Sequence, residues 1–400
     1  MVIGEKRDIF ERISALRLQL AAYADIFAIG TVVVLPWSAT LLNVFIALWL
    51  ITLLPTLNWA DVRREIATPA GGLPVFLFAL GLAGIAWAQE SWLGRLGEFS
   101  AFIKFLLIPI FLVQFRRSDR AMSVMVAYLV SCTALMTVSW ILSLWPTAAL
   151  AATRGGLPIV AVTGHAGHFA ICCATLPFVA LEFFRRGERR LAVGTLALAA
   201  SFVGNIIFVV MPNLWLPLML PLIAVPLLIA VLLLKKPDNR ARVVLLVAAA
   251  MACAVVWVAS DPPTYKSLLG DRPMLWQRSL LLISEAPILG HGTGAMPRLL
   301  ASAALGQGGS LAHAATNPQQ QTLAVGIQVG LVGVAVLWAM WIAHLLFFRG
   351  NALCEWVGFA VVTLNIFGSM LDTQLSGSWG GWTYVIGVGV AGGMVRRFRS

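Results

Sequence analysis

Apolar runs of about twenty residues recur from Ala21 to Val395, separated for the most part by short polar breaks. Each run is long enough to cross the hydrocarbon core of a bilayer as a helix. A chain in lipid must satisfy its own backbone hydrogen bonds. That leaves a helical bundle or a closed barrel, and the short alternating segments of a barrel are absent. Composition agrees: 60% of residues are hydrophobic, 11% are charged and the mean hydropathy is +0.89. Soluble domains carry roughly 25% charged residues, so a soluble globule is excluded. The expected fold class is an all-α polytopic membrane protein.

The runs divide into about twelve spans. In order they are Ala21–Trp37, Thr40–Trp59, Leu73–Trp87, Ala101–Phe115, Met122–Trp145 and Gly167–Phe184. Then come Leu191–Val210, Leu214–Leu234, Val243–Ser260, Thr322–Phe348, Trp356–Leu371 and Trp379–Val395. A tight Met211–Pro212–Asn213 turn separates the seventh from the eighth. Residues before Leu20 read as a short amphipathic helix on the membrane surface, with no cleavable signal peptide. Tryptophans at span ends (Trp37, Trp87, Trp145, Trp379, Trp382) read as an interfacial belt.

The net charge of +11 is no sign of nucleic-acid binding, because the basic residues stand in short clusters between spans. Arg63–Arg64, Arg116–Arg117 with Arg120, Arg185–Arg186 with Arg189–Arg190, Lys235–Lys236 with Arg240 and Arg242, Arg349, and Arg396–Arg397 with Arg399 all follow even-numbered spans. Lys6, Arg7, Arg12 and Arg17 precede the first. With twelve spans every cluster falls on one side, which predicts a cytoplasmic-membrane protein with both termini in the cytosol, its basic clusters meeting anionic lipid headgroups. The outside connections are then Glu90–Glu98, Pro146–His165, the Met211 turn, Asp261–Gln320 and Asp372–Gly381. The chain divides into a first bundle (1–260), a long outside loop (261–320) and a second bundle (321–400). The five cysteines (Cys132, Cys172, Cys173, Cys253, Cys354) lie in or beside apolar spans, so neither a disulfide framework, a metal site nor a cofactor is expected.

The outside loop carries Lys266, Arg272, Arg278 and Arg298 on the side where basic residues are usually scarce, which calls for an anionic partner. Asp271–Arg272–Pro273 reads as a helix start. Across Met274–Glu285 helical spacing puts Trp276, Leu280 and Ile283 on one side and Arg278 and Glu285 on another, as in a helix lying on the membrane surface. The glycines of Pro287-Ile-Leu-Gly-His-Gly-Thr-Gly-Ala295 permit close backbone approach to a ligand or another helix. A second helix through Pro297–Leu305 and a Gly306–Ser310 link lead to Asn317-Pro318-Gln319-Gln320-Gln321.

Arg272 ahead of Met274–Trp276, then Ser284-Glu285-Ala286-Pro287-Ile-Leu-Gly-His-Gly-Thr-Gly294, Asn317-Pro318 and Gly330-Leu-Val-Gly333, resembles the O-antigen ligase/polymerase superfamily over about Gly270–Gly333. By length and layout the lipopolysaccharide O-antigen ligases are the nearest likeness. The resemblance implies a metal-independent glycosyltransferase acting at the periplasmic face of a bacterial inner membrane. Its donor would be a glycan on undecaprenyl pyrophosphate and its acceptor the lipid A–core oligosaccharide. It also implies that Arg272 holds the donor pyrophosphate. A guanidinium suits that task, because it stays protonated and forks onto phosphate oxygens. It would also stabilise charge on the departing diphosphate.

One departure stands out. The ligase pattern places a histidine, a proposed general base, ahead of a polar residue, nine further residues and Gly-x-x-Gly; counting back from Gly330 that position is Gln319, with Gln320 beside it. An amide orients a hydroxyl but cannot take its proton. Either the base comes from elsewhere, with His313 upstream one source, or the chain is inactive, engineered or specialised. A second family arginine has no counterpart in the corresponding turn, Met211-Pro212-Asn213-Leu214-Trp215. Other candidates are Arg154 as a second outside cation, His165 and His168 at the mouth of the sixth span, His291 between the loop glycines, and Asn317 and Asp372 as cavity residues. His165, His168 and His291 equally suit structural roles, and His344 reads as structural. A polymerase of the same superfamily and a transporter of lipid-linked glycan are the competing readings. The sequence lacks the internal repeat and buried charge pairs that would favour a transporter.

Overall fold

The computed structural model describes residues 2–145, 166–206, 209, 272–305, 316–350 and 352–399. Among them every regular element is helical. The helices are α1 (Val2–Val34), α2 (Ala39–Leu53), α3 (Trp59–Ile66), α4 (Pro69–Gly84), α5 (Trp92–Ile103), α6 (Leu107–Arg117) and α7 (Ala121–Leu144), followed by α8 (Ala166–Arg185) and α9 (Arg189–Asn205). The later set is α10 (Arg272–Glu285), α11 (Met296–Leu305), α12 (Gln321–Phe347), α13 (Leu353–Leu371) and α14 (Ser378–Arg399).

Seven stretches among the described residues are long and apolar enough to cross a membrane: Glu11–Val34, Ala39–Thr56, Trp92–Arg117, Ala121–Leu144, Gly167–Arg185, Gln321–Phe347 and Leu353–Met370. The bent pair α3–α4, with 88° between its arms, makes an eighth if it counts as one span. The protein is therefore a membrane-embedded helical bundle. The expected seventh and twelfth spans are helices here, as α9 and α14, but α9 is short and α14 is diluted by glycines and a polar first turn. The expected eighth and ninth spans, the Met211 turn and the whole Pro146–His165 connection lie outside the described residues.

Two expected boundaries are corrected. No break separates a surface helix from the first span; α1 runs unbroken from Val2, with neither glycine nor proline near Leu20 to stop it. Glu90–Glu98 is not a connection either. Ser91 caps α5 by accepting from Gly94 N at 3.2 Å, so the helix starts nine residues before Ala101 and carries Glu98 in its second turn.

Small residues let the helices close. Side chains of α6 occupy the spaces beside glycines of α14: Phe111 at Gly389, Leu112 at Gly392 and Phe115 at Gly393. Trp49 stacks on Phe111 with centroids 3.9 Å apart, and its Nε1 donates to Gln114 Oε1 at 2.7 Å. Gln114 in turn donates to Asp25 Oδ1 at 2.9 Å, so this buried amide is satisfied across three helices. At one end of the bundle Asp61 meets Arg117 and, at 3.1 Å, Arg116; Glu65 meets Arg396 at 2.8 Å and Glu355 meets Arg399 at 2.7 Å. The opposite end holds α10, α11 and the starts of α5, α12 and α14.

Candidate functional site

The site is built around a break in α12. Val329 (φ −128°, ψ 16°) and Gly330 (φ 67°, ψ −168°) leave the helical path, which frees backbone groups on both sides. The loop after α10 meets them: Leu331 N donates to Pro287 O at 2.8 Å, His291 N to Ile327 O at 2.8 Å and Gly292 N to Gln328 O at 2.9 Å. A Cβ on Gly330 would overlap the Ile288 carbonyl oxygen, and one on Gly290 would stand 2.6 Å from Gly330 N. The loop's other edge binds α4, where Thr293 N donates to Gly84 O at 3.0 Å and Thr293 Oγ1 to Gly81 O at 2.7 Å. Of the two uses foreseen for these glycines, approach to other helices is the one observed. His291 shares that role, since its Nε2–H donates to Leu282 O at 2.8 Å in the last turn of α10.

α10 turns Leu275, Arg278, Ser279 and Leu282 into the protein, holds Trp276 and Ile283 half-buried, and leaves Leu280 and Leu281 exposed. Leu282 packs with Leu300, Ala324 and Ile327, and Ile283 fits beside Gly326. The buried face of α10 is thus set by its contact with α12.

That packing goes with a contact between the two ends of the motif. Arg272 Nε donates to Gln319 Oε1 at 2.9 Å, across 47 positions of sequence. One turn along, Trp276 Nε1 donates to Pro318 O at 3.1 Å. Gln319 itself sits at φ 52°, in left-handed backbone unusual for a residue with a side chain. Asn317 holds it there, accepting from Gln319 N at 2.8 Å and donating through Nδ2 to Thr373 Oγ1 at 2.7 Å. Gln320 caps α12 by accepting from Leu323 N at 2.6 Å. Gln321 accepts from Leu375 N at 3.0 Å and Ser376 N at 3.2 Å.

Sequence reasoning missed Lys104. It is buried, and its Nζ donates to the carbonyls of Leu375, Ser376 and Gly377 at 3.1, 3.2 and 2.9 Å. It thereby fixes the turn on which Asn317 and Gln321 rest. A lone lysine three residues into the expected fourth span was the signal. Glu90, Glu98 and Arg298 were also missed as a group. With Gly97, Pro297 and Thr316 they line a cavity of about 490 Å³ between α5 and the start of α11. Arg298 Nε donates to Glu90 Oε2 at 3.1 Å, and Glu90 Oε1 accepts from Ser91 N at 2.8 Å. The Ser91 backbone N–H first, and then the Arg298 charge, hold the Glu90 carboxyl below its usual range.

Other predicted residues stand apart from this cluster. His168 is buried among α7, α8 and α14, with Nδ1 2.8 Å from Tyr128 Oη and 3.4 Å from Thr383 Oγ1, rather than at an open mouth. His344 is buried between Tyr384 Oη and Ala70 O, at 2.6 and 2.9 Å. Asp372 is exposed after α13 and accepts from Thr373 N at 2.7 Å. Arg154, His165, Lys266 and His313 lie outside the described residues. Compared with protein-family models and with curated proteins, the sequence matches none.

Proposed function

We propose that this chain is a glycosyltransferase that moves a glycan from undecaprenyl pyrophosphate onto the lipid A–core oligosaccharide at the periplasmic face of a bacterial inner membrane. The observation that supports it is the Arg272–Gln319 contact, which joins the two motif positions expected to serve donor and acceptor. Among the described residues only Nε of the guanidinium is engaged; its terminal nitrogens are the ones that would fork onto phosphate oxygens. The donor diphosphate docks there. An acceptor hydroxyl attacks the first sugar carbon, the bond from that carbon to the phosphate oxygen breaks, and the electron pair leaves on the diphosphate, stabilised by Arg272.

A transporter fits less well. Discontinuous helices in transporters aim their freed backbone groups at a substrate or ion. In α12 the groups freed at the break are bonded to the 287–292 loop instead.

Purified protein in lipid nanodiscs, given undecaprenyl-pyrophosphate glycan and lipid A–core, tests the reading. Glycan transfer to the core is expected, with Arg272→Ala slowing it about 100-fold or more, as for loss of a transition-state charge donor. Gln319→His is expected to fold normally and to remain active. Glycan joined to a second lipid-linked glycan would make the chain a polymerase. Glycan carried across the bilayer with no new glycoconjugate would sink the transferase.

A further inference from the structure

The proposed reaction must dispose of the proton on the acceptor hydroxyl, and Gln319 has no basicity to take it. The cavity between α5 and α11 offers a carboxylate. Of its two glutamates, Glu90 is occupied by Ser91 N and Arg298. Glu98 is half-buried in α5, faces the cavity, and makes no hydrogen bond or ion pair with any described residue. At about 490 Å³ the cavity is within the range of small-molecule sites, roughly 300–1,000 Å³. One lining residue ties it to the donor arginine through the chain: Thr316 borders the cavity, and three residues of extended backbone put Gln319, the hydrogen-bond partner of Arg272, at most ~11 Å from Thr316.

We propose that this cavity seats the acceptor sugar and that Glu98 takes the proton from its attacking hydroxyl. The assignment rests on the transferase reading above. As the hydroxyl oxygen bonds to the first sugar carbon of the donor, its hydrogen passes to a Glu98 carboxylate oxygen while undecaprenyl pyrophosphate departs with the electron pair. Arg272 and Glu98 then divide the work: one receives the leaving group's charge, the other the acceptor's proton. Within a lining that is mostly apolar, the Glu90–Arg298 pair suits a sugar, because it keeps hydrogen-bonding capacity for ring hydroxyls without presenting a net charge.

The test uses the full chain in nanodiscs, with the same donor and acceptor. Glu98→Gln keeps the shape and is expected to lower kcat about 100-fold or more while leaving the KM values of donor and acceptor within a few-fold, as for loss of a general base. Glu98→Ala is expected to regain transfer when formate is added, because a free carboxylate can enter the vacated space. Thermal unfolding of both variants, matched to the unsubstituted protein, separates chemistry from misfolding. A Glu98→Gln protein that transfers at the original rate overturns the role of Glu98 and leaves the transferase intact. A folded Glu98→Ala protein without formate rescue also counts against it. An unsubstituted chain that transfers nothing, while Arg272→Ala still binds donor equally well, overturns the transferase itself.

Discussion

At the scale of single residues, the candidate site is held by groups outside the proposed chemistry. Lys104 is the clearest. Placing an ammonium among apolar helices is costly unless its protons are bonded, and three carbonyls of the 375–377 turn accept them. Lys104→Met fills similar volume but leaves those carbonyls with one fewer donor. Unmet buried acceptors cost about 1–3 kcal/mol each, partly offset because the lysine no longer has to be desolvated. A net loss of about 2–4 kcal/mol is expected, seen as a lower midpoint of thermal unfolding in detergent. Transfer activity should fall with it, because the same turn supports Thr373 and, through it, Asn317 and Gln319. A fully stable, fully active Lys104→Met protein would mean the turn holds itself. Gln319 shows a related economy of position. Its left-handed backbone is one that histidine also tolerates, so the residue expected by resemblance would fit without rebuilding the segment.

At the scale of elements, the break in α12 and the glycine loop form one joint. Gly330→Ala places a side chain at φ 67° and drives its Cβ into Ile288 O, which belongs to backbone and cannot swing away. Loss of about 2–4 kcal/mol follows from strain plus the broken 287–292 bonds. Gly194→Ala in α9 meets open space and should be neutral or stabilising by up to ~1 kcal/mol. Paired unfolding curves in detergent check both; equal behaviour of the two variants would deny the joint. The sequence showed this element in part. Apolar runs located the helices, and the loop glycines announced a close approach, but not its target. Periodicity does not show that α10 packs on α12, so the burial of Arg278 and Ser279 is not legible from spacing alone. The polarity of Glu90–Glu98 suggests a connection in water, whereas helicity there is decided by the Ser91 cap. Depth in a membrane and backbone conformation are separate questions, and polarity answers only the first. The Arg272–Gln319 contact was legible only as two motif positions; bringing them together required the fold.

At the scale of the whole molecule, charge is sorted between the two ends. One end carries Arg116, Arg117, Arg396 and Arg399, locked on Asp61, Glu65 and Glu355. The other carries Arg272, Arg298 and the carboxylates of the cavity. Arginines flanking spans are retained in the cytosol during insertion, so the first end should be cytosolic and the site should face outward. Single cysteines in a background lacking the native ones test this. Asp119→Cys reports the arginine-rich end, being strongly exposed beside Arg120, and Ser302→Cys reports α11. A maleimide that cannot cross membranes should label Ser302→Cys from outside intact spheroplasts and Asp119→Cys only after the bilayer is opened. The reverse pattern would put Arg272 on the cytosolic side. A donor whose glycan is presented at the periplasmic face could not then reach it, and the Arg272–Gln319 contact would need another anionic partner.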